Sequence, residues 1–200
     1  MAHVTAESVR ELRQKSGCGM MDCKRALTEA GGDVGRAMDL LRQKGLATAA
    51  KKATRSASQG IVTSYIHMDK LGVLVEVNCE TDFVARTEAF RTMAKDMAMH
   101  IAAANPTYLG PEDVPAEVLE KEKEIMRAQV SGKPANIVEK IVEGKLGKFY
   151  EENCLLEQVF VKDPEGKMKI KDVITNTIAQ VGENVVVRRF ARFALGEEQK

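Results

Sequence analysis

Apolar positions recur at three- and four-residue intervals over roughly the first fifty residues and then switch to every second residue. The helical part divides into three short pieces. Thr5 is suited to N-cap the first, with Val4 and Val9 placed as a hydrophobic staple, and Ser16-Gly17 to end it. The second runs from about Met20 to Ala30, with Met20, Cys23, Leu27 and Ala30 on one face. Gly31-Gly32 closes it, and Asp33 caps a third helix carrying Val34, Ala37 and Leu41. Gly45 reads as that helix's stop. The Ala-rich stretch Ala47 to Ala53 favours a further helix and fades into Ser56-Ala57-Ser58-Gln59-Gly60.

Beyond Gly60 the pattern predicts a β-hairpin. Ile61 to Met68 and Val73 to Cys79 are its strands, and the turn lies around Asp69-Lys70-Leu71-Gly72. Val73, Val75, Val77 and Cys79 share one face. Phe90, Met93, Ala94, Met97 and Ile101 then mark a helix stopped by Asn105-Pro106. Helices start near Pro115 and near Pro134, the latter interrupted by Gly144 and Gly147. Leu155 to Val161 reads as a strand, Val173 to Val181 as a short helix and Val185 to Ala194 as a final strand. The class is α+β: a three-helix module over residues 1–46, a basic linker helix over 47–59, and a core over 60–200 with a small antiparallel sheet packed with helices.

Composition narrows the function. Of the 200 residues 44% are hydrophobic and 30% charged, which suits a globular chain with a real core. The net charge of +1 gives no global pull toward nucleic acid or an anionic membrane. No apolar run approaches a membrane span, and the first residues lack the regions of a signal peptide, so a cytoplasmic location is expected. Cys18, Cys23, Cys79 and Cys154 form no C-x-x-C pair, and no metal or cofactor site is expected.

The chain carries few of the motifs that catalysis uses. Phosphate-binding glycine loops and the nucleophile elbow are missing. Cys79 paired with His67 or His100 is a conceivable nucleophile, but it continues an apolar strand face and reads as a structural thiol. Arg42, Lys44, Lys51, Lys52 and Arg55 fall in a stretch without acids, yet lack interleaved aromatics, so a solvated face is favoured over a phosphate track. Met21 lies on a helix face with Lys24, either as a docking patch or as a scattered exposed methionine. Thr81-Asp82-Phe83-Val84 joins a strand to a helix. On pattern alone Asp82 is an N-cap and Phe83 a staple in phase with Phe90; otherwise the ring is a wedge and the carboxylate a disturber of a nearby cation.

Several long runs carry a family likeness. They are Val9-Arg10-Glu11-Leu12-Arg13, Gly19-Met20-Met21-Asp22-Cys23-Lys24-Arg25-Ala26-Leu27 and Ala49-Ala50-Lys51-Lys52-Ala53. With them go Glu76-Val77-Asn78-Cys79-Glu80-Thr81-Asp82-Phe83-Val84-Ala85-Arg86, and Gly182-Glu183-Asn184 before Arg188-Arg189. In these the chain resembles bacterial elongation factor Ts, and at its length the short branch of that family. The resemblance implies a guanine-nucleotide exchange factor that binds elongation factor Tu with GDP and runs no covalent reaction of its own. It implies a ubiquitin-associated-like N-terminal module docking through Met20, Met21 and Lys24. It also implies that Thr81, Asp82, Phe83 and Val84 dislodge the partner's magnesium ion. The short length suggests a homodimer through the core, with Val185 to Ala194 as the candidate interface. The rival readings are an adaptor for RNA or nascent chain and a thiol enzyme using Cys79.

Overall fold

The computed structural model describes residues 4–130 and 134–197. The readings made of Met1, Ala2 and His3 lie outside them. The class is α+β, with eight α-helices among the described residues and a three-stranded antiparallel sheet of order β1-β2-β3. The chain divides into two compact units. One comprises the chain up to Thr63 with Val75–Asp96 and Asp172–Phe190; the other comprises Ser64–Leu74, Met97–Lys171 and the chain from Ala191.

The first unit opens with α1 (Ala6–Ser16), α2 (Met20–Glu29) and α3 (Val34–Lys52). Their starts and stops follow local chemistry. Thr5 accepts a hydrogen bond from the Ser8 amide, Gly17 ends α1 with φ +67°, and the Asp33 carboxylate accepts from the Arg36 amide at 2.9 Å. Val9, Leu12, Cys23, Ala26, Leu27, Ala30, Ala37 and Leu41 form the buried cluster, with Val4 packed against it. Met20 was expected in that stripe and is 59% exposed instead. It is the first residue of α2, one turn beyond the reach of the cluster, so Cys23 begins the buried face.

Gly45 does not stop the third helix. α3 runs through it to Lys52, absorbing most of the stretch expected as a separate linker helix. The residues after Gly45 are strong helix formers, and its buried backbone packs beside α8 (Ile170–Val181), which supports the helix where a glycine weakens it. Arg42 pairs with Asp172 at 3.3 Å, and Lys52 donates to the Gly182 carbonyl.

β1 (Gln59–His67) and β2 (Leu71–Cys79) form the hairpin. Its turn is one residue earlier than expected: Met68 and Asp69 both have positive φ, 49° and 56°, and the Lys70 amide donates to the His67 carbonyl at 3.0 Å. That is the primed turn whose twist matches the flanking strands. Val73, Val75, Val77 and Cys79 are all buried, as the alternation predicts. β2 leads into α4 (Asp82–Ala85) and α5 (Glu88–Ala104), and α5 ends at Asn105, with φ 48°, before Pro106. β3 (Val185–Ala194) has the expected bounds.

In the second unit α6 (Ala116–Gln129) and α7 (Ala135–Asn153) form a helical hairpin, joined by a forked Arg127–Glu139 pair. Gly144 and Gly147 do not interrupt α7. Leu155 to Val161 is not a strand. Leu155–Glu157 is a 3-10 turn, and the segment's one bridge is Val159 with Lys169, while Tyr108 bridges Cys154 just before it. β-branched residues make a strand only where a ladder partner exists. Here the Leu155 and Leu156 amides donate instead to the carbonyls of Tyr108 and Leu109. His100 is buried, its Nε2 sharing a hydrogen bond with Gln158 Oε1 at 3.0 Å and its Nδ1 accepting from the Val161 amide. Burial lowers its pKa, so the ring is neutral.

Two glycines give opposite expectations. At Gly60, φ is +147°, and a Cβ would sit 2.2 Å from the Val77 carbonyl oxygen and 2.7 Å from the Asn78 Cα. Gly60→Ala should lower stability by about 2–3 kcal/mol. At Gly45 a Cβ would meet Ala179 Cβ at 3.6 Å, an ordinary contact. Gly45→Ala should raise stability by about 0.5–1 kcal/mol. Urea denaturation midpoints of the two variants check both signs.

Candidate functional site

The site is the corner where β2 becomes α4. Thr81, not Asp82, is the N-cap: its hydroxyl oxygen accepts from the Val84 amide at 3.4 Å. That places Asp82 and Phe83 as the first helical residues, turned outward, while Val84 and Ala85 turn in and are buried. The Phe83 ring is 79% exposed, whereas Phe90, seven residues on, is fully buried. Phe83 is therefore not a staple. The helix breaks at Arg86 and Thr87 between them, which removes the shared phase.

The corner is held from the turn after α8. Glu183 accepts from the Thr81 amide at 2.9 Å and from the Thr81 hydroxyl at 2.7 Å. In return the Glu80 carboxylate accepts from the Asn184 amide at 2.7 Å. That bond, aided by Arg55 at 3.4 Å, holds the Glu80 carboxyl below its ordinary range. The Asn184 side-chain amide donates to the Arg55 carbonyl at 2.9 Å, and the Asn78 amide to the Ala57 carbonyl at 3.3 Å. Two successive residues of one segment thus exchange charge-assisted bonds with two of another. Glu80, Glu183 and Asn184 have no role that their pattern in the sequence predicts. Gly182-Glu183-Asn184 carries family likeness, but that these residues brace the corner shows only in the fold.

Asp82 is half-buried and pairs with Arg86 at 2.9 Å, one turn on. Cys79 is buried, and its thiol donates to the Thr81 carbonyl at 3.1 Å. Burial, followed by the nearby Glu183 charge, raises its pKa, so it is a neutral structural thiol at pH 7. The imidazoles are engaged elsewhere, His67 with the Tyr65 hydroxyl at 3.0 Å and His100 as described. This geometry offers no activated thiolate.

Met20, Met21 and Lys24 lie together at the start of α2. Met20 and Met21 are 59% and 68% exposed, and Lys24 is exposed. Asp22 beside them pairs with Lys44 and, at 3.7 Å, with Arg25. Of the five cations in the acid-free stretch, Arg42, Lys44, Lys52 and Arg55 have internal partners, so it presents no continuous track of free positive charge. Among the described residues there is no cluster of metal-ligating side chains, and no helix is long and apolar enough to cross a membrane.

The family model described as Elongation factor TS matches residues 2–170. The chain belongs to the elongation factor Ts family. It is 62% identical to an elongation factor Ts of Thermodesulfovibrio yellowstonii, with 98% of each chain covered. It is 61% identical to one of Caldanaerobacter subterraneus, over 97% of this chain and 98% of that relative. A relative from Desulfosudis oleivorans is 56% identical and is covered along its whole length. This elongation factor Ts family member carries the Thr81 to Val84 corner inside the matched region.

If Glu183 holds the corner, Glu183→Gln should keep one hydrogen bond and lose the charge, costing about 1–2 kcal/mol. Amide exchange at Thr81 should accelerate before global unfolding does. Unchanged protection at Thr81, read by hydrogen–deuterium exchange, would refute that role.

Proposed function

We propose that this chain is a guanine-nucleotide exchange factor for elongation factor Tu in translation elongation, acting through Phe83 as a wedge. The family membership supports the exchange role and the partner, and the exposure of Phe83 supports the wedge. A large ring left in water on a braced corner is costly for folding and useful for binding.

A GDP-bound GTPase grips its ligand through backbone amides, a lysine and a magnesium ion bridging phosphate oxygens. Exchange breaks no covalent bond. The factor must bind the nucleotide-free partner better than the GDP-bound one, and by linkage GDP and the factor weaken each other equally. Burying most of a phenyl ring gains roughly 2–3 kcal/mol. If the receiving pocket opens only in the distorted partner, that is a coupling near a hundredfold. Asp82 adds a carboxylate to disturb the magnesium and its waters. Its exposed pair with Arg86 is worth only about 0–1 kcal/mol, so the carboxylate is released cheaply. Thr81 and Val84 set the aim, one as cap and the other as buried anchor. Met20, Met21 and Lys24 of the N-terminal module dock on the partner. They speed exchange only as far as they favour the distorted state.

The chain also pairs with a second copy through its core. β3 is an edge strand. In the second unit Ile66, Met68, Leu74, Phe193 and Leu195 are exposed, more apolar surface than scattered single residues account for. A two-fold axis would cover the same patch on both copies.

Stopped-flow release of fluorescent GDP from elongation factor Tu tests the exchange reading. Phe83→Ala should keep the fold and lose most of the rate, Asp82→Ala should lose less, and Met21→Ala with Lys24→Ala should weaken partner affinity. Release by Phe83→Ala at the parent rate would remove the wedge. Sedimentation equilibrium tests the pairing: the parent should run as a dimer and Phe193→Asp as a monomer. A parent that stays monomeric throughout the micromolar range overturns it.

A further inference from the structure

Beside the Phe83 corner, within the first unit, lies an open groove of about 580 Å³ between β1 and the helices that follow. One wall is the edge strand, with Ile61, Val62 and Thr63. The other is α5, whose Glu88, Arg91, Thr92 and Lys95 sit at positions i, i+3, i+4 and i+7 and so share one face. Arg86 closes one end, held by Asp82. The remaining cations are less occupied. Arg91 spends only its Nε, on the Ala85 carbonyl at 3.4 Å. Lys95 is exposed and has no ion-pair partner among the described residues. In a chain of net charge +1, this local excess is not a by-product of general basicity.

The walls argue for a peptide rather than a nucleotide. No backbone cradle of glycines and no aromatic ring lines the groove, and 67% of Val62 is exposed as an apolar wall. Thr63 and Thr92 offer hydroxyls suited to backbone groups. Glu88 disfavours a compact multivalent anion but tolerates carboxylates spaced along a chain.

We propose that this groove is a docking site for an acidic surface segment of the GTPase partner, engaging Arg91 and Lys95 while Phe83 enters its pocket. The proposal rests on the exchange-factor reading and extends it. Charges of this kind steer encounter and set register more than they drive the distortion itself. The groove therefore governs how fast the two proteins meet, and Phe83 governs what happens afterwards.

The test uses the full chain with purified elongation factor Tu. Association and maximal GDP release at saturation are measured separately over a salt series. The parent's association rate should fall with salt. Lys95→Glu should slow association about tenfold at low salt and flatten that dependence, with maximal release unchanged. Arg91→Glu should act likewise. Arg91→Lys should retain the parent behaviour, and matching thermal melts confirm the folds. Association by Lys95→Glu at the parent rate, while Phe83→Ala still loses exchange, overturns the groove and leaves the wedge. No GDP release by the parent overturns the reading beneath both. Calorimetric binding of GDP or inorganic phosphate to the chain alone, abolished in Lys95→Glu, would assign the groove to an oxyanion and overturn the proposal.

Discussion

The paired bonds between Glu80-Thr81 and Glu183-Asn184 are the constraint on which the rest of the site depends. A four-residue helix does not hold itself in water, because nucleation costs more than one turn returns. α4 persists because its cap residue is held by a carboxylate from another segment, and because Val84 and Ala85 are buried beneath it. The consequence is positional. An exposed ring on a free loop would lose orientation on every approach to a partner. A ring on a braced turn loses far less.

Much of this was legible in the sequence, for identifiable reasons. The β1-β2 hairpin and β3 appear where alternation is clean and β-branched residues are dense. Thr5 and Asp33 cap the helices they precede because a short polar side chain there has few other uses. What escaped was set by tertiary context. Gly45 looks like a terminus until α8 lies beside it. Leu155 to Val161 has the residues of a strand and no partner to ladder with. Met20 fits the apolar stripe by phase and misses it by position along the axis.

The candidate site was legible in a different way. Residue pattern alone favours Phe83 as a staple, and only family likeness argues otherwise. The structure decides the local question: the ring is in solvent, and its neighbour seven residues on is in the core. The bracing residues were invisible because their partners lie about a hundred positions away. Charge assignment from sequence fared similarly. A stretch without acids looked free, yet most of its cations find carboxylates or carbonyls elsewhere in the unit.

The continuity of α3 has a mechanical meaning. Nineteen residues of unbroken helix make a rod of roughly 28 Å. At one end it packs under the helix bearing Met20 and Met21; at the other, Lys52 grips Gly182, next to the residue that braces Thr81. A slack tether would let the two regions proposed to meet the partner search independently, at an effective concentration set by its length. A strut fixes their spacing, so on the exchange-factor proposal seating one surface would already dictate where the other must strike.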